Sequence, residues 1–299
     1  MLIKIQSEIP KFECNACGTC CSHIRGIVPK EDREFLKENV FGKMPVVQLV
    51  PVEQMTFPLW DWEAKRFAEW QHEVNVDARI KPLRAIMDLN SNKAIILTYF
   101  MDGITDACPF LKQSETQSVS GAQKSQAFLG NNKCSIYHTK RAYVCRLFPF
   151  NRGPFLNQEG MQLKEEMFGE CGAMEHILPQ LPNEFDEMIK FLNNAFPDSS
   201  FLNAVQNDII IEWANKTIVD LIRKKIIKPV VNSPYNFLLG RISNAEGVDF
   251  TDFLVESGYL TESEMRDLIK RFDDNIDAEE KISQFLSRYS KRHKFLDNE

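Results

Sequence analysis

Residues 14–21 read Cys14-Asn15-Ala16-Cys17-Gly18-Thr19-Cys20-Cys21, placing four of the chain's eight cysteines within one short stretch, the last two adjacent. The other four are Cys108, Cys134, Cys145 and Cys171, so every cysteine lies in the first part of the chain and none follows Cys171. At 299 residues the chain is long enough to bury sizeable cores without covalent staples, so cystine is not needed for stability. Thiols in such density point to metal or redox chemistry before they point to a disulfide framework.

The spacing gives that chemistry a form. Cys14, Cys17 and Cys20 make C-x2-C-x2-C, a tight loop able to offer three thiolates to an iron–sulfur cluster, with a remote cysteine as the fourth ligand. A zinc ion can use the same loop. Cys21 differs, because neighbouring side chains diverge; it suits a second centre, a resolving role or the far side of the same cluster. The remaining cysteines are separated by 25, 10 and 25 residues and make no second knuckle, so the fold must collect them. This places an iron–sulfur cluster of the [4Fe-4S] type ahead of paired zinc sites. Taken singly, any of these dispersed cysteines is equally a small buried hydrophobe.

The rest of the chain is ordinary. With 43% hydrophobic and 26% charged residues it reads as a globular protein, and a net charge of −6 gives no reason to expect a nucleic-acid partner. The start M-L-I-K-I-Q-S-E-I-P is not a secretory signal, and no apolar run approaches the roughly 20 residues of a membrane span, so a cytoplasmic location is expected. There is no G-x-G-x-x-G, phosphate loop or H-E-x-x-H. The stretch Asp273-Asp274-Asn275-Ile276-Asp277-Ala278 resembles a calcium loop but has Ala278 where the turn glycine belongs, and reads as a helix junction. The basic run R-K-K-I-I-K at 223–228 reads as a charged helix face.

The expected fold class is α+β and predominantly helical. An irregular, metal-organised cysteine domain with few short strands spans 1–175, and an all-α domain spans 176–299. In the first, P-K-E-D-R-E-F-L-K at 29–37 predicts a helix start, residues 60–89 carry three tryptophans (Trp60, Trp62, Trp70) and an amphipathic helix, and Ala94–Phe100 reads as a short buried strand. The polar stretch from Lys112 predicts a surface insertion over about 112–132. In the second, Phe185, Met188, Ile189, Leu192 and Phe196 recur at helical spacing between an Asn183 cap and a Pro197 stop. A long apolar-rich stretch covers Phe201–Ile227, T-E-S-E at 261–264 makes a capping box, and a last helix starts near Asp277.

The opening C-x2-C-x2-C-C, then C-P-F-L at 108–111 and C-S-I-Y-H-T-K-R-A-Y-V-C-R-L-F-P-F at 134–150, resembles the YkgJ-like cysteine-cluster family, a zinc- or iron-chelating domain. The resemblance covers roughly the first 175 residues. It implies that Cys14, Cys17, Cys20, Cys21, Cys108, Cys134, Cys145 and Cys171 are the metal ligands. Related domains occur in a flagellin lysine N-methylase, so the resemblance also implies a cluster-dependent methyltransferase or oxidoreductase as the enzymatic alternative, beside a purely structural zinc module. The sequence departs from the family where Ala142 follows Arg141, a position at which family members carry proline, and in the length of the 112–132 insertion.

Around the cysteines, Lys140, Arg141, Arg146 and Arg152 are expected to supply positive charge to a thiolate centre, and Phe148, Pro149 and Phe150 an apolar shell; surface charge and core packing predict the same residues. His23 and His138 lie near cysteines but read as surface or supporting histidines rather than ligands. A protein partner is expected to dock on the C-terminal helices.

Overall fold

The computed structural model describes residues 9–24, 30–51, 54, 56–102, 107–112, 134–136, 140–156 and 167–296. The fold is mixed α and β. Its packing resolves into two compact units, each assembled from separated pieces of chain. One comprises 1–16, 143–212 and 270–299; the other comprises 17–142 and 213–269. The compact units therefore do not follow the division near residue 175 that the distribution of cysteine suggests.

The unit formed by 17–142 and 213–269 is built on a five-stranded sheet: β1 (Val46–Gln48), β2 (Leu59–Trp60), β3 (Arg79–Met87), β4 (Lys93–Asp102) and β5 (Glu246–Asp249). Strand β4 lies at the centre. Its sequence K-A-I-I-L-T-Y-F-M-D combines β-branched and aromatic residues with an almost unbroken run of buried positions, as expected of a strand covered on both faces. One edge of β4 pairs antiparallel with β3, where Ile86 faces Ile95 and Met87 faces Ala94; β1 pairs with the far side of β3. The other edge is shared end to end. Lys93–Ile96 take β5 as a parallel partner, and Thr98 and Tyr99 take β2 as an antiparallel one.

Two apolar layers hold this sheet. Ile86, Ile95 and Leu97 pack with Ile218, Leu221, Phe250 and Leu254. Val47, Ala85, Met87, Ala94 and Ile96 pack with Leu238 and Ile242. Burying each large aliphatic side chain contributes about 1.5–3 kcal/mol, so these layers rather than metal hold the sheet. The β3–β4 turn is pinned by buried Asp88, which accepts from the backbone N–H groups of Asn90 (3.1 Å), Ser91 (2.8 Å) and Lys228 (2.7 Å).

The two strands on the shared edge each lead directly into a helix, Asp61–Glu73 after β2 and Phe250–Glu256 after β5. The helix starts are joined by Asp61, which is fully buried and accepts hydrogen bonds at Oδ2 from the Thr251 N–H (2.8 Å) and hydroxyl. Among the described residues its Oδ1 has no hydrogen-bond partner. Loss of hydration pushes the Asp61 carboxyl up to about 7, against the bonds from Thr251; neighbouring Asp249 adds to the shift and Lys65 opposes it. Lys65 pairs with Asp249 (3.0 Å) and Asp252 (2.9 Å), and the Tyr99 hydroxyl donates to Asp249.

In the unit formed by 1–16, 143–212 and 270–299, Phe150 packs against Phe168 and Phe196 with ring centroids 4.9 and 4.7 Å away. Met188, Ile189 and Leu192 of the helix Phe185–Ala195 complete that core with Ala278 and Ile282 of the helix Ile276–Leu296. Phe12 is drawn in by its N–H bond to the Ala195 carbonyl (2.7 Å) and by stacking on Phe196. Buried Asp208 accepts from the N–H groups of Gly153 (3.0 Å) and Phe155 (2.8 Å).

Most sequence expectations about elements are met. Helices occupy Lys30–Asn39, Asp61–Glu73, Phe185–Ala195, Ser200–Arg223 and Ile276–Leu296. The T-E-S-E box closes reciprocally: the Thr261 N–H donates to Glu264 Oε2 (2.8 Å) and the Glu264 N–H to Thr261 Oγ1 (3.2 Å). Three corrections follow. The N-cap position of the helix at 185 is held by Glu184 rather than Asn183, and the Glu184 side chain makes no cap bond. The helix within 60–89 ends at Glu73, and Arg79–Met87 is strand β3, because cross-strand pairing with β4 and burial of Leu83, Ala85, Ile86 and Met87 hold it extended. The region after 175 is not wholly helical, since Glu246–Asp249 forms β5 by pairing with the open edge of β4. The insertion expected at 112–132 lies outside the described residues beyond Lys112.

Candidate metal centre

All eight cysteines are thiols rather than disulfides. Five of them, Cys17, Cys20, Cys21, Cys108 and Cys134, belong to the unit that carries the sheet; Cys14, Cys145 and Cys171 belong to the other.

The local geometry of the doublet follows from Ala16 and Gly18, which take left-handed backbone angles with φ of 53° and 78°. The second suits glycine, which bears no Cβ penalty there. This reversal starts a single helical turn, Thr19–Ser22, in which the Gly18 carbonyl accepts from the N–H groups of Cys21 and Ser22, both at 3.0 Å. The Cys17 sulfur lies 3.1 Å from the Thr19 hydroxyl, and the Cys20 and Cys21 sulfurs lie 3.8 Å apart.

Backbone bonds bring the next two cysteines to this turn. The Cys108 N–H donates to the Cys21 carbonyl (2.7 Å). The C-P-F-L segment then turns back, with Leu111 N–H on the Cys108 carbonyl (3.0 Å), while the Ser135 N–H reaches the Phe110 carbonyl (2.7 Å) and Leu111 bridges Cys134 in antiparallel fashion. Fully buried Phe110 anchors the segment, edge-on to Phe67 of the helix Asp61–Glu73 at 5.4 Å. Thus three stretches far apart in sequence are stitched main chain to main chain within one unit.

Electrostatics report the same proximity. The Cys20 thiol is pushed far above the usual thiol range by its hydrogen bond to Cys21, then by loss of hydration and the Cys21 charge. Burial pushes Cys108 up to about 12, with Cys134 and Cys20 adding to it. Burial also raises Cys134, and Cys20 adds to that shift. Arg141 acts in the opposite sense on both Cys20 and Cys134. Three thiols, Cys20, Cys108 and Cys134, each resist ionisation partly because of a neighbouring thiol, and such a site favours a cation among them.

These thiols are neighbours without enclosing a point: among the described residues no three Cys, His, Asp or Glu side chains converge in a metal-holding arrangement. The donor set suits a soft thiophilic metal, whereas the side-chain geometry is not that of a closed centre.

In the other unit, Cys145 sits in the helical turn Tyr143–Arg146, and the Cys171 carbonyl accepts from the Met174 N–H (2.9 Å) at the short turn Gly172–Met174; Cys14 is exposed. The expected collar of positive charge is realised selectively. Arg141 acts on the thiols, but Lys140 pairs with Glu73, and Arg146 stacks on Tyr143 and binds the Asp273 carbonyl (3.1 Å). Phe150 serves the core of its unit. His23 is exposed, and His138 lies outside the described residues. Sequence reasoning missed the clamp from Cys108 to the Cys21 carbonyl; the only trace of it was the rigid C-P-F-L turn.

Comparison with protein-family models, with curated proteins and with solved structures found no match to this chain. Among the described residues, no helix is long and apolar enough to cross a membrane.

Proposed function

We propose that this is a metal-binding protein whose cysteines hold a thiolate-ligated centre, an iron–sulfur cluster in the first instance and zinc as the other occupant. The observation that carries the reading is the main-chain stitching of Cys21 to Cys108 and of the Cys108 turn to Cys134, with Arg141 set to offset thiolate charge. Cys20, Cys21, Cys108 and Cys134 would be the principal ligands. Cys17, Cys14, Cys145 and Cys171 complete the eight-cysteine set that the resemblance to the YkgJ-like family implies.

Metal binding supplies the step the thiols lack, because ligation draws deprotonated sulfurs to one point and orders the loops that bear them. An iron–sulfur cluster would add one-electron chemistry, and zinc a structural cross-link. The chain's own part is defined by residues on the page: the Gly18 reversal presents the doublet, Phe110 fixes the Cys108 turn, and Arg141 balances charge. The helices after residue 176 are the proposed contact for a protein partner, in a cytoplasmic setting.

The test is metal and sulfide analysis of the full chain purified anaerobically, read beside its visible spectrum. Iron with acid-labile sulfide and a broad absorption that bleaches on reduction is the expected result, and Cys108→Ser should lose at least half of the bound metal. Stoichiometric zinc in colourless protein transfers the reading to a zinc module. Neither metal above the level held by Cys108→Ser and Cys20→Ser would refute it.

A further inference from the structure

Strands β1, β3 and β4 set Gln48, Arg84 and Thr98 side by side, Gln48 opposite Arg84 and Arg84 opposite Thr98. Arg84 is half-buried, and loss of hydration lowers its guanidinium from its ordinary range, with no acid among the described residues opposing the shift. Its Nε donates to Gln48 Oε1 at 3.2 Å, and among the described residues no carboxylate pairs with it. This is unlike Lys81, Lys93 and Lys65 of the same unit, each of which has an acidic partner.

The flanking groups are also unsatisfied. Gln48 is 8% exposed and Thr98 5% exposed, yet among the described residues neither Gln48 Nε2 nor Thr98 Oγ1 has a hydrogen-bond partner. With Gln48 Oε1 turned to Arg84, the amide presents its N–H2, and the Thr98 hydroxyl is able to donate. The spot therefore gathers a guanidinium whose Nε is bonded to Gln48, an amide donor and a hydroxyl, and among the described residues the last two have no acceptor. Leaving each buried neutral donor unpaired costs about 1–3 kcal/mol, and the guanidinium beside them lacks a counter-charge. An oxyanion removes all of these penalties together.

Charge selects among oxyanions. A single guanidinium balances one negative charge, as on a carboxylate, whereas a phosphate dianion would bring uncompensated charge into a site shielded from water. With Nε committed to Gln48, the two Nη groups remain as a fork matched to two carboxylate oxygens. We propose that Arg84, Gln48 and Thr98 form a binding site for the carboxylate group of a small ligand. The site is separate from the cysteines, and its reading does not depend on a metal.

The test follows thermal unfolding of the full chain in sodium acetate, sodium phosphate and sodium chloride at equal ionic strength. Acetate at about ten times its dissociation constant favours the folded state about tenfold, a rise of about 2 °C or more over chloride. The acetate-specific rise should vanish in Arg84→Met. Thr98→Val, which keeps the guanidinium and removes one orphan group, should weaken acetate binding at least threefold, so the idea stays testable if Arg84→Met does not fold. No rise over chloride, or an equal rise in either variant, overturns the site; a larger rise in phosphate than in acetate overturns the carboxylate assignment.

Discussion

Replacing Asp61 by Asn is expected to change how stability responds to pH. The Asp61 carboxyl, buried between the starts of the helices Asp61–Glu73 and Phe250–Glu256, is raised from 3.8 to about 7. In that interval the folded chain holds a proton that the unfolded chain has released, so stability falls as pH rises. Each pH unit contributes about 1.4 kcal/mol, so the loss from pH 4 to above pH 7 sums to about 4 kcal/mol. Asparagine keeps the shape, accepts the Thr251 bonds through its carbonyl and cannot ionise. At about pH 3 the two proteins should be similarly stable, because Asp61 is then mostly protonated in both states; at about pH 8.5 the variant should be more stable by up to about 4 kcal/mol. Asp208, pushed up to about 6 mainly by burial, slopes in the same direction in both proteins and cancels in the difference. Urea unfolding followed by tryptophan fluorescence measures this directly, since Trp62 and Trp213 pack in the same unit. Parallel pH profiles for wild type and variant would refute the assignment of a buried, protonating Asp61.

Two smaller perturbations test the packing. Thr261→Ala removes one half of the reciprocal cap on the helix Glu262–Asp273 and should cost about 0.5–2 kcal/mol in urea unfolding, with Thr261→Ser recovering most of it. Gly153→Ala would drive a Cβ into the Asp208 carboxylate and the Ala204 carbonyl, so a loss of about 1–3 kcal/mol is expected, whereas Gly172→Ala, with open space around it, should be near neutral by the same measurement.

The elements legible in the sequence were those whose signal is local. The helix Phe185–Ala195 announces itself by apolar spacing, the T-E-S-E box by its capping chemistry, and β4 by its aliphatic run. Strands β1, β3 and β5 were hidden because their stability is lent by β4: Glu246-Gly247-Val248-Asp249 has little strand character alone, and Arg79–Met87 carries Pro82 and several charges. The cysteine pattern at 14–21 marked the candidate centre, and the dispersed cysteines marked what the fold had to gather. What spacing could not reveal is the partition, with Cys108 and Cys134 stitched near the doublet while Cys145 and Cys171 belong to a different packing unit. Arg84 and Asp61 carried no sequence signal, because an orphaned charge is recognisable only once its surroundings are known.

The edge of β4 that β2 and β5 share sets a timetable for synthesis. Residues 17–142 leave the ribosome with half of that edge unfilled, and the strand that completes it is made more than a hundred residues later. The cysteine turn at Thr19–Ser22 and its partner at Cys108 therefore emerge while their sheet is still open. Only when Glu246–Asp249 docks, and Asp61 finds Thr251, is that nascent assembly sealed.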